Sequence, residues 1–271
     1  MIEVNPSIVV CATSHDVEGR QAEFFPKVDT TLTRLYTRRL ISFTDKTSLN
    51  TVDAAIQLGW DVEVVSGEQA TTNKNRLRVI ERGVAEGGQF INYWDGDRLL
   101  HASVMASDEL VDLAYQIPKY DLLIVGATEE GIKTHQSSMV AWEAVKSWRL
   151  GRFLGINGDI ANRGCFGFSR EYATFLVAHQ SDGDESEALF TILALVYQKL
   201  LGKTNQLQQS RGIGYKEYPN LASYEDWLFE GLTSEESARR KNTLEDFNRR
   251  GEHVGRILKT AEEIAAKYGL A

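Results

Sequence analysis

Two aspartates, Asp95 and Asp97, stand one residue apart in the stretch QFINYWDGDRLLH (89–101). A strand-like run, Phe90 to Trp94, leads straight into them, and an apolar pair, Leu99-Leu100, resumes just after. Such a pair suits Mg²⁺ or Mn²⁺, hard cations that use one or two carboxylates and take further oxygens from a bound diphosphate. A cation held there would neutralise a departing nucleoside diphosphate by Lewis-acid catalysis. The competing possibility is a polar turn, since acidic turns are common.

Three cations precede this strand. The segment NKNRLRVIERG places Lys74, Arg76 and Arg78 in the first turns of a helical pattern. Each one alone reads as part of a solvated basic face. The functional alternative is that one or two of them reach a phosphate or a base across the sheet edge. Arg76 is expected to point to the nucleotide side, and Arg82, near the helix end, to be a surface charge.

The elements that must bring these groups together are legible as alternating runs. SIVVCAT (7–13), LISFT (40–44), VEVVS (62–66), FINYW (90–94) and DLLIVGA (121–127) read as short buried strands. Helical patterns separate them. One has Ser48 as N-cap and Gly59 as stop, one ends at Gly87-Gly88, and one closes at Pro118. Strand and helix in alternation predict an open, mainly parallel α/β sheet. Ligands of such sheets bind outside the carboxyl ends of the strands. Asp95 and Asp97 belong there, facing a cleft shared with the 13–16 loop. Beyond residue 130, SSMVAWEAVKSWRLG and ESEALFTILALVYQKLLG read as helices, and NRGCFGFSRE as a short extended piece with a helix from Ser169. The chain from about Ser223 on is charged and helical: a docked helix, a dimer element or an arm.

Composition narrows the function classes. The chain has 271 residues and a formal charge of -8, which argues against nucleic-acid binding but leaves room for a local phosphate pocket. Two cysteines, Cys11 and Cys165, make neither a disulfide framework nor a zinc spacing and read as buried reduced thiols. The N-terminus lacks a basic signal-peptide region, and no stretch nears the roughly 20 apolar residues of a membrane span. These features predict a soluble cytoplasmic protein.

The order of the pieces resembles that of the GT-A-fold nucleotide-sugar glycosyltransferases. NYWDGDRLLH matches that superfamily's metal motif in type and place, and RGCFGFSRE is similar to a segment that returns under the donor sugar. The likeness covers residues 7 to 180 and leaves out the C-terminal helices. It implies a GT-A-like (Rossmann-like) mainly parallel open sheet flanked by helices over residues 1–205, with a helical extension over 206–271 that docks or forms a homodimer. It also implies a metal-dependent glycosyltransferase that moves a hexose from a UDP-, GDP- or ADP-linked donor to an unidentified acceptor.

Specific residues acquire roles under this resemblance. Asp97 would hold Mn²⁺ or Mg²⁺, and Asp95 would contact the metal through water or the donor's ribose. Thr13, Ser14 and His15 would line the nucleoside pocket, with Lys74 and Arg76 nearby. Arg163 and Arg170 would join the donor side, in a segment whose glycines, Gly158, Gly164 and Gly167, allow close backbone approach. His135 would complete the metal shell or touch the acceptor, or else be a loop histidine without a role. His101 reads as a surface or capping imidazole. Inverting transfer needs a general base, with Asp159 or the cluster Asp182, Asp184 and Glu185 as candidates. The cluster also reads as an acidic helix N-terminus, and retaining transfer needs no such base. Trp94, Trp142 and Trp148 offer faces for a sugar ring, although tryptophans are more often core, as Trp94 is expected to be.

Three rival functions are weighed. DGDRLL is similar to the D-x-D-G motif of haloacid-dehalogenase-like phosphotransfer enzymes, but Gly96 lies between the aspartates and the strand is the fourth, not the first. A sugar-nucleotide nucleotidyltransferase would need a glycine-rich loop that CATSHDVEGRQ does not supply. A non-catalytic sugar-nucleotide-binding protein would leave the aspartate pair without a purpose.

Overall fold

Alternate residues of the first strand serve opposite cores. Ile8, Val10 and Ala12 pack into one hydrophobic layer, while Val9 and Cys11 pack into another. A strand buried on both faces has no polar side to show, which is why it reads as a continuous apolar run. The computed structural model describes residues 7–135, 137–158, 160, 164–180, 185–203, 211–221 and 243–270.

Seven strands form one sheet: β1 (Ile8–Ser14), β2 (Arg38–Thr44), β3 (Asp61–Val65), β4 (Phe90–Asp95), β5 (Leu122–Ala127), β6 (Cys165–Ser169) and β7 (Ile213–Tyr218). Their order is β3-β2-β1-β4-β6-β5-β7. Only β6 runs against its neighbours, pairing antiparallel with β4 and β5. The sheet is therefore mainly parallel and open, as expected. The carboxyl ends of β1, β2 and β4 share one edge with the amino end of β6.

Helices cover both faces. α1 (Phe25–Leu35), α2 (Leu49–Gln57), α4 (Gly96–Met105) and α5 (Ser107–Gln116) lie on one side. The other side carries α3 (Thr72–Ala85), α7 (Ser137–Leu154), α8 (Arg170–Ala178), α9 (Ser186–Lys203) and α10 (Leu244–Lys267). A short α6 (Glu129–Lys133) follows β5. Among the described residues, no helix is long and apolar enough to cross a membrane.

Three expectations need correction. The sheet does not stop before residue 206: β7 pairs with β5 and brings residues 213–218 into it. As an edge strand it has a solvated side, so IGYKEY lacks the apolar run of its neighbours. The aspartate pair is not a turn, because α4 starts at Gly96 with Asp95 as its N-cap. And α1, which the sequence reading passed over, buries Phe25, Val28, Leu32 and Leu35 at helical spacing behind a proline in its first turn.

The C-terminal helix docks on its own chain. Val254, Ile257, Ala261 and Ile264 of α10 are buried, and the helix packs on α7 and α9. Inside β4, Asn92 is fully buried and satisfied: it accepts from Tyr36 Oη (2.7 Å) and Trp94 Nε1 (2.8 Å) and donates to the Phe166 carbonyl (2.9 Å). This is how a polar residue survives mid-strand.

Candidate functional site

Strand register brings the β1 loop and the aspartates together. Thr13 lies beside Asp95 across the β1–β4 pair. Gly96 keeps them close, since a Cβ there would stand 3.1 Å from the Thr13 carbonyl and 3.0 Å from Ser14 Cβ. Past this edge opens a cleft of ≈ 870 Å³, within the range that holds small-molecule ligands. Its walls include Thr13, Ser14 and His15 after β1, Asn75 and Arg76 of α3, and both Asp95 and Asp97.

Asp95 is pinned. Arg76 Nη2 donates to both of its carboxylate oxygens at 3.0 Å. Tyr93, two residues back and on the same strand face, donates its hydroxyl to Oδ1 at 2.6 Å. The Tyr93 proton being used there, Thr13 Oγ1 is the donor of the 2.8 Å bond between the two hydroxyls. Burial first, then the adjoining Asp95 carboxylate, hold the phenol far above its ordinary pKa although Arg76 opposes them, so Tyr93 stays a donor. From behind, Gly164 accepts the Asp95 amide at 2.7 Å. Gly164 has φ +70°, and a Cβ there would run into the Asp95 carboxylate and lie 2.7 Å from Arg98 Cδ.

The interior continues this contact as an alternating chain of charge. Arg76 Nη1 donates to Ser186 Oγ (3.3 Å) and lies 3.5 Å from Glu187 Oε1. Glu187 Oε2 accepts from Lys146 Nζ at 2.6 Å, and Lys146 also lies 2.7 Å from Glu143. Lys146 is 1% exposed. Buried ions need paired neighbours of opposite sign, and here each has them. Burial alone would lower the Lys146 and Arg76 pKa values, but the carboxylates outweigh it and both stay charged. Burial would raise that of Glu187; Lys146 and Arg76 outweigh it and hold the carboxyl at about 2.

Asp97 differs from Asp95. It is the second residue of α4, half-buried, and lines the cleft. Its Oδ1 accepts the Arg98 amide at 2.8 Å, and the positive helix end favours its charge. Among the described residues no group of three or more His, Cys, Asp or Glu gathers as a metal cage. Two carboxylates at a cleft edge still fit Mg²⁺ or Mn²⁺, which complete their shells with water and phosphate oxygens. Lys46 and Arg98, which sequence reasoning missed, add two cations to the walls.

Several expected residues lie elsewhere. Lys74 does not line the cleft and approaches Glu68 at 3.5 Å. Arg78 is committed to Glu63 (2.8 Å), and Arg82 is not a bare surface charge but 23% exposed and paired with Asp61 at 2.7 Å. Arg170 follows the carboxyl end of β6, where its amide meets the Gln89 carbonyl at the start of β4. Because β6 runs antiparallel, that is the opposite sheet edge, roughly 20 Å from Asp95 by strand rise. His135 is buried after α6 and does not line the cleft. His101 is also buried, not a surface ring. Glu185 is spent on Asn73 (2.8 Å) and Arg256 (2.9 Å) beside the start of α9. Asp159, Arg163, Asp182 and Asp184 lie outside the described residues.

Tyr93, Glu187 and Lys146 were not singled out by the sequence, whereas Gly164 was, for close backbone approach. Tyr93 had a signal, the two-residue strand period that puts it on the face of Asp95. Glu187 and Lys146 sit in separate helices and share no local pattern.

No family model and no curated protein matches the sequence. Solved structures do resemble the fold. Glucosyl-3-phosphoglycerate synthase from Mycobacterium tuberculosis, in complex with phosphoglyceric acid, is 12% identical with a TM-score of 0.49, over 98% of this chain and 81% of that one. The same synthase with Mn²⁺ and UDP-glucose gives 14% and 0.48, over 94% and 79%. A putative nucleotide-diphospho-sugar transferase from Desulfovibrio desulfuricans gives 9% and 0.43, over 94% and 98%. All three scores lie below 0.5.

Proposed function

We propose that the protein is a divalent-metal-dependent glycosyltransferase that uses a nucleotide-sugar donor. One observation carries this reading. Two carboxylates at a strand-to-helix junction open, beside the β1 loop, into a ligand-sized cleft, the first clamped by Arg76 at the end of β4 and the second standing in the first turn of α4.

The roles follow from that difference. Asp97 holds Mn²⁺ or Mg²⁺, which when bound neutralises charge building on the diphosphate. Asp95, fixed by Arg76 and Tyr93, presents its remaining lone pairs to the donor's ribose or to a metal-bound water. Thr13, Ser14 and His15 border the nucleoside. Arg98 and Lys46 face the phosphates. Arg76 orients Asp95 and does not itself bind donor. A phosphotransfer reaction with an aspartyl nucleophile fits less well, since Asp95 is clamped and Asp97 sits on a helix start. Buried free thiols at Cys11 and Cys165 suit a reducing compartment, and we place the reaction in the cytoplasm.

A thermal-shift series with UDP-, GDP- and ADP-sugars, each with Mn²⁺ or EDTA, tests this. One nucleotide class should raise Tm, and more so with Mn²⁺. No response to any donor in either condition would remove the proposal.

A further inference from the structure

Consecutive residues at the start of α9 grip the first turns of α3. Glu185 accepts from Asn73 Nδ2 at 2.8 Å. Ser186 donates its amide (3.1 Å) and its hydroxyl (2.8 Å) to Asn73 Oδ1, and its Oγ accepts from Arg76 Nη1 at 3.3 Å. Glu187 Oε1 lies 3.5 Å from the same Nη1. Asn73 and Arg76 are at helical i, i+3 spacing on one face of α3, so α9 meets them together.

This grip divides the Arg76 guanidinium in two. Nη1 belongs to α9 and Nη2 to Asp95. Nε makes no hydrogen bond among the described residues, so these two ends alone set rotation about the Nε–Cζ bond. The group is planar and rigid. Holding Nη1 therefore fixes the direction in which Nη2 points.

Glu187 is itself held from the other side. Its Oε2 accepts from Lys146 Nζ at 2.6 Å, and Lys146 lies 2.7 Å from Glu143. Glu187 is 7% exposed and stands in the first turn of α9, where the helix dipole favours a carboxylate. Buried ion pairs often contribute no more stability than apolar side chains of the same volume. What they add is direction, and this chain of pairs ends on Asp95 at the cleft wall.

We propose that Glu187 is a positioning residue for the aspartate cleft: by holding Nη1 it sets the plane in which Arg76 presents the Asp95 carboxylate to a bound ligand. Its effect on a donor rests on the nucleotide-sugar reading of that cleft, whereas its effect on Arg76 does not. Glutamine at position 187 has one oxygen for two cations. With that oxygen on Lys146, its amide N–H groups face Arg76 Nη1, donor against donor, and Nη1 is released. Lys146 keeps Glu143 and Arg76 keeps Asp95, so neither cation is left without a carboxylate and Glu187→Gln should fold.

Side-chain NMR of the full chain carrying isotope-labelled arginine tests this, the Arg76 signals being those missing from Arg76→Lys. Hindered rotation should give separate Nη1 and Nη2 signals in wild type, and Glu187→Gln should average them. In parallel, a UDP-, GDP- or ADP-sugar that binds wild type with Mn²⁺ should bind Glu187→Gln ~10-fold more weakly in calorimetric titration, the scale of one misaligned charge-assisted hydrogen bond. Glu187→Asp keeps the charge but shortens the reach; it should behave the same way and serves if Glu187→Gln does not fold. Rotation that stays hindered, or that is freed with donor affinity unchanged, overturns the inference. So does failure of both variants to fold, which would make Glu187 an element of stability alone. Arg76 freed in the variant, with no nucleotide sugar bound by wild type, instead removes the donor reading and leaves Glu187 as the residue that sets Arg76.

Discussion

Arg76 Nη2 sits 3.0 Å from both carboxylate oxygens of Asp95, so an arginine from α3 clamps the aspartate that ends β4. The clamp divides the labour between two aspartates that look equivalent in sequence. Asp95 becomes a fixed acceptor built into the interior. Asp97, one residue on, faces the cleft at a helix start.

The two aspartates should therefore respond unequally to the same change. Asp95→Asn removes the countercharge of a buried arginine and should cost about 3 kcal/mol, the scale of breaking a buried pair. Asp97→Asn should cost less than about 1 kcal/mol, as for surface sites. Arg76→Met should match or exceed the loss in Asp95→Asn, because Glu187 loses a partner too. Urea denaturation measures all three. Equal stability of the two aspartate variants would show that the clamp carries no energy.

Gly164 backs the clamp. At φ +70° a side chain is strained, and a Cβ there meets Asp95 and Arg98. Gly164→Ala should cost about 1–3 kcal/mol and weaken donor binding by displacing Asp95. Calorimetric Tm together with a donor titration checks both. Unchanged donor affinity in a destabilised variant would separate Gly164 from the site.

Much of this was legible in the sequence, and the gaps have causes. The strands β1, β2, β4 and β5 announced themselves because burial on both faces demands apolar runs, as in Ile8–Ala12 and Leu122–Ala127, while β3, at a sheet edge with only Val65 buried, was legible from its valines. The aspartates were legible because carboxylates at the end of such a run are unusual. β7 was not, since an edge strand keeps polar residues such as Lys216 and Glu217. Arg170 was misplaced because a sequence does not show strand direction, and the reversal of β6 carries it to the far edge. Arg76 was expected to reach the nucleotide. It lines the cleft, but its guanidinium is occupied by Asp95, Ser186 and Glu187, partners that only tertiary packing supplies.

Acid should destabilise the fold in two stages. Burial and then the Arg98 charge push His101 down to about 4 from 6.5. The unfolded chain takes up that proton first, so the contribution is full above pH 6.5 and is lost as pH falls toward 4. A shift of that size corresponds to about 3 kcal/mol. Glu187, held at about 2 against 4.5, contributes stability that is present above pH 4.5 and lost as pH falls through about 2. Urea midpoints from pH 8 to 4 should fall in wild type and fall less in His101→Gln. Parallel curves would contradict a neutral buried His101.

The most direct test of the central claim is turnover of a nucleotide sugar, as transfer or donor hydrolysis, by wild type and Asp97→Asn, each with Mn²⁺ and with EDTA. The account predicts that Asp97→Asn lowers turnover by ~10² or more, the scale of losing one preorganised electrostatic element. EDTA should do the same to wild type, and nucleoside alone should bind both proteins equally. Full activity in EDTA, or an unimpaired Asp97→Asn enzyme, would contradict a catalytic cation at Asp97.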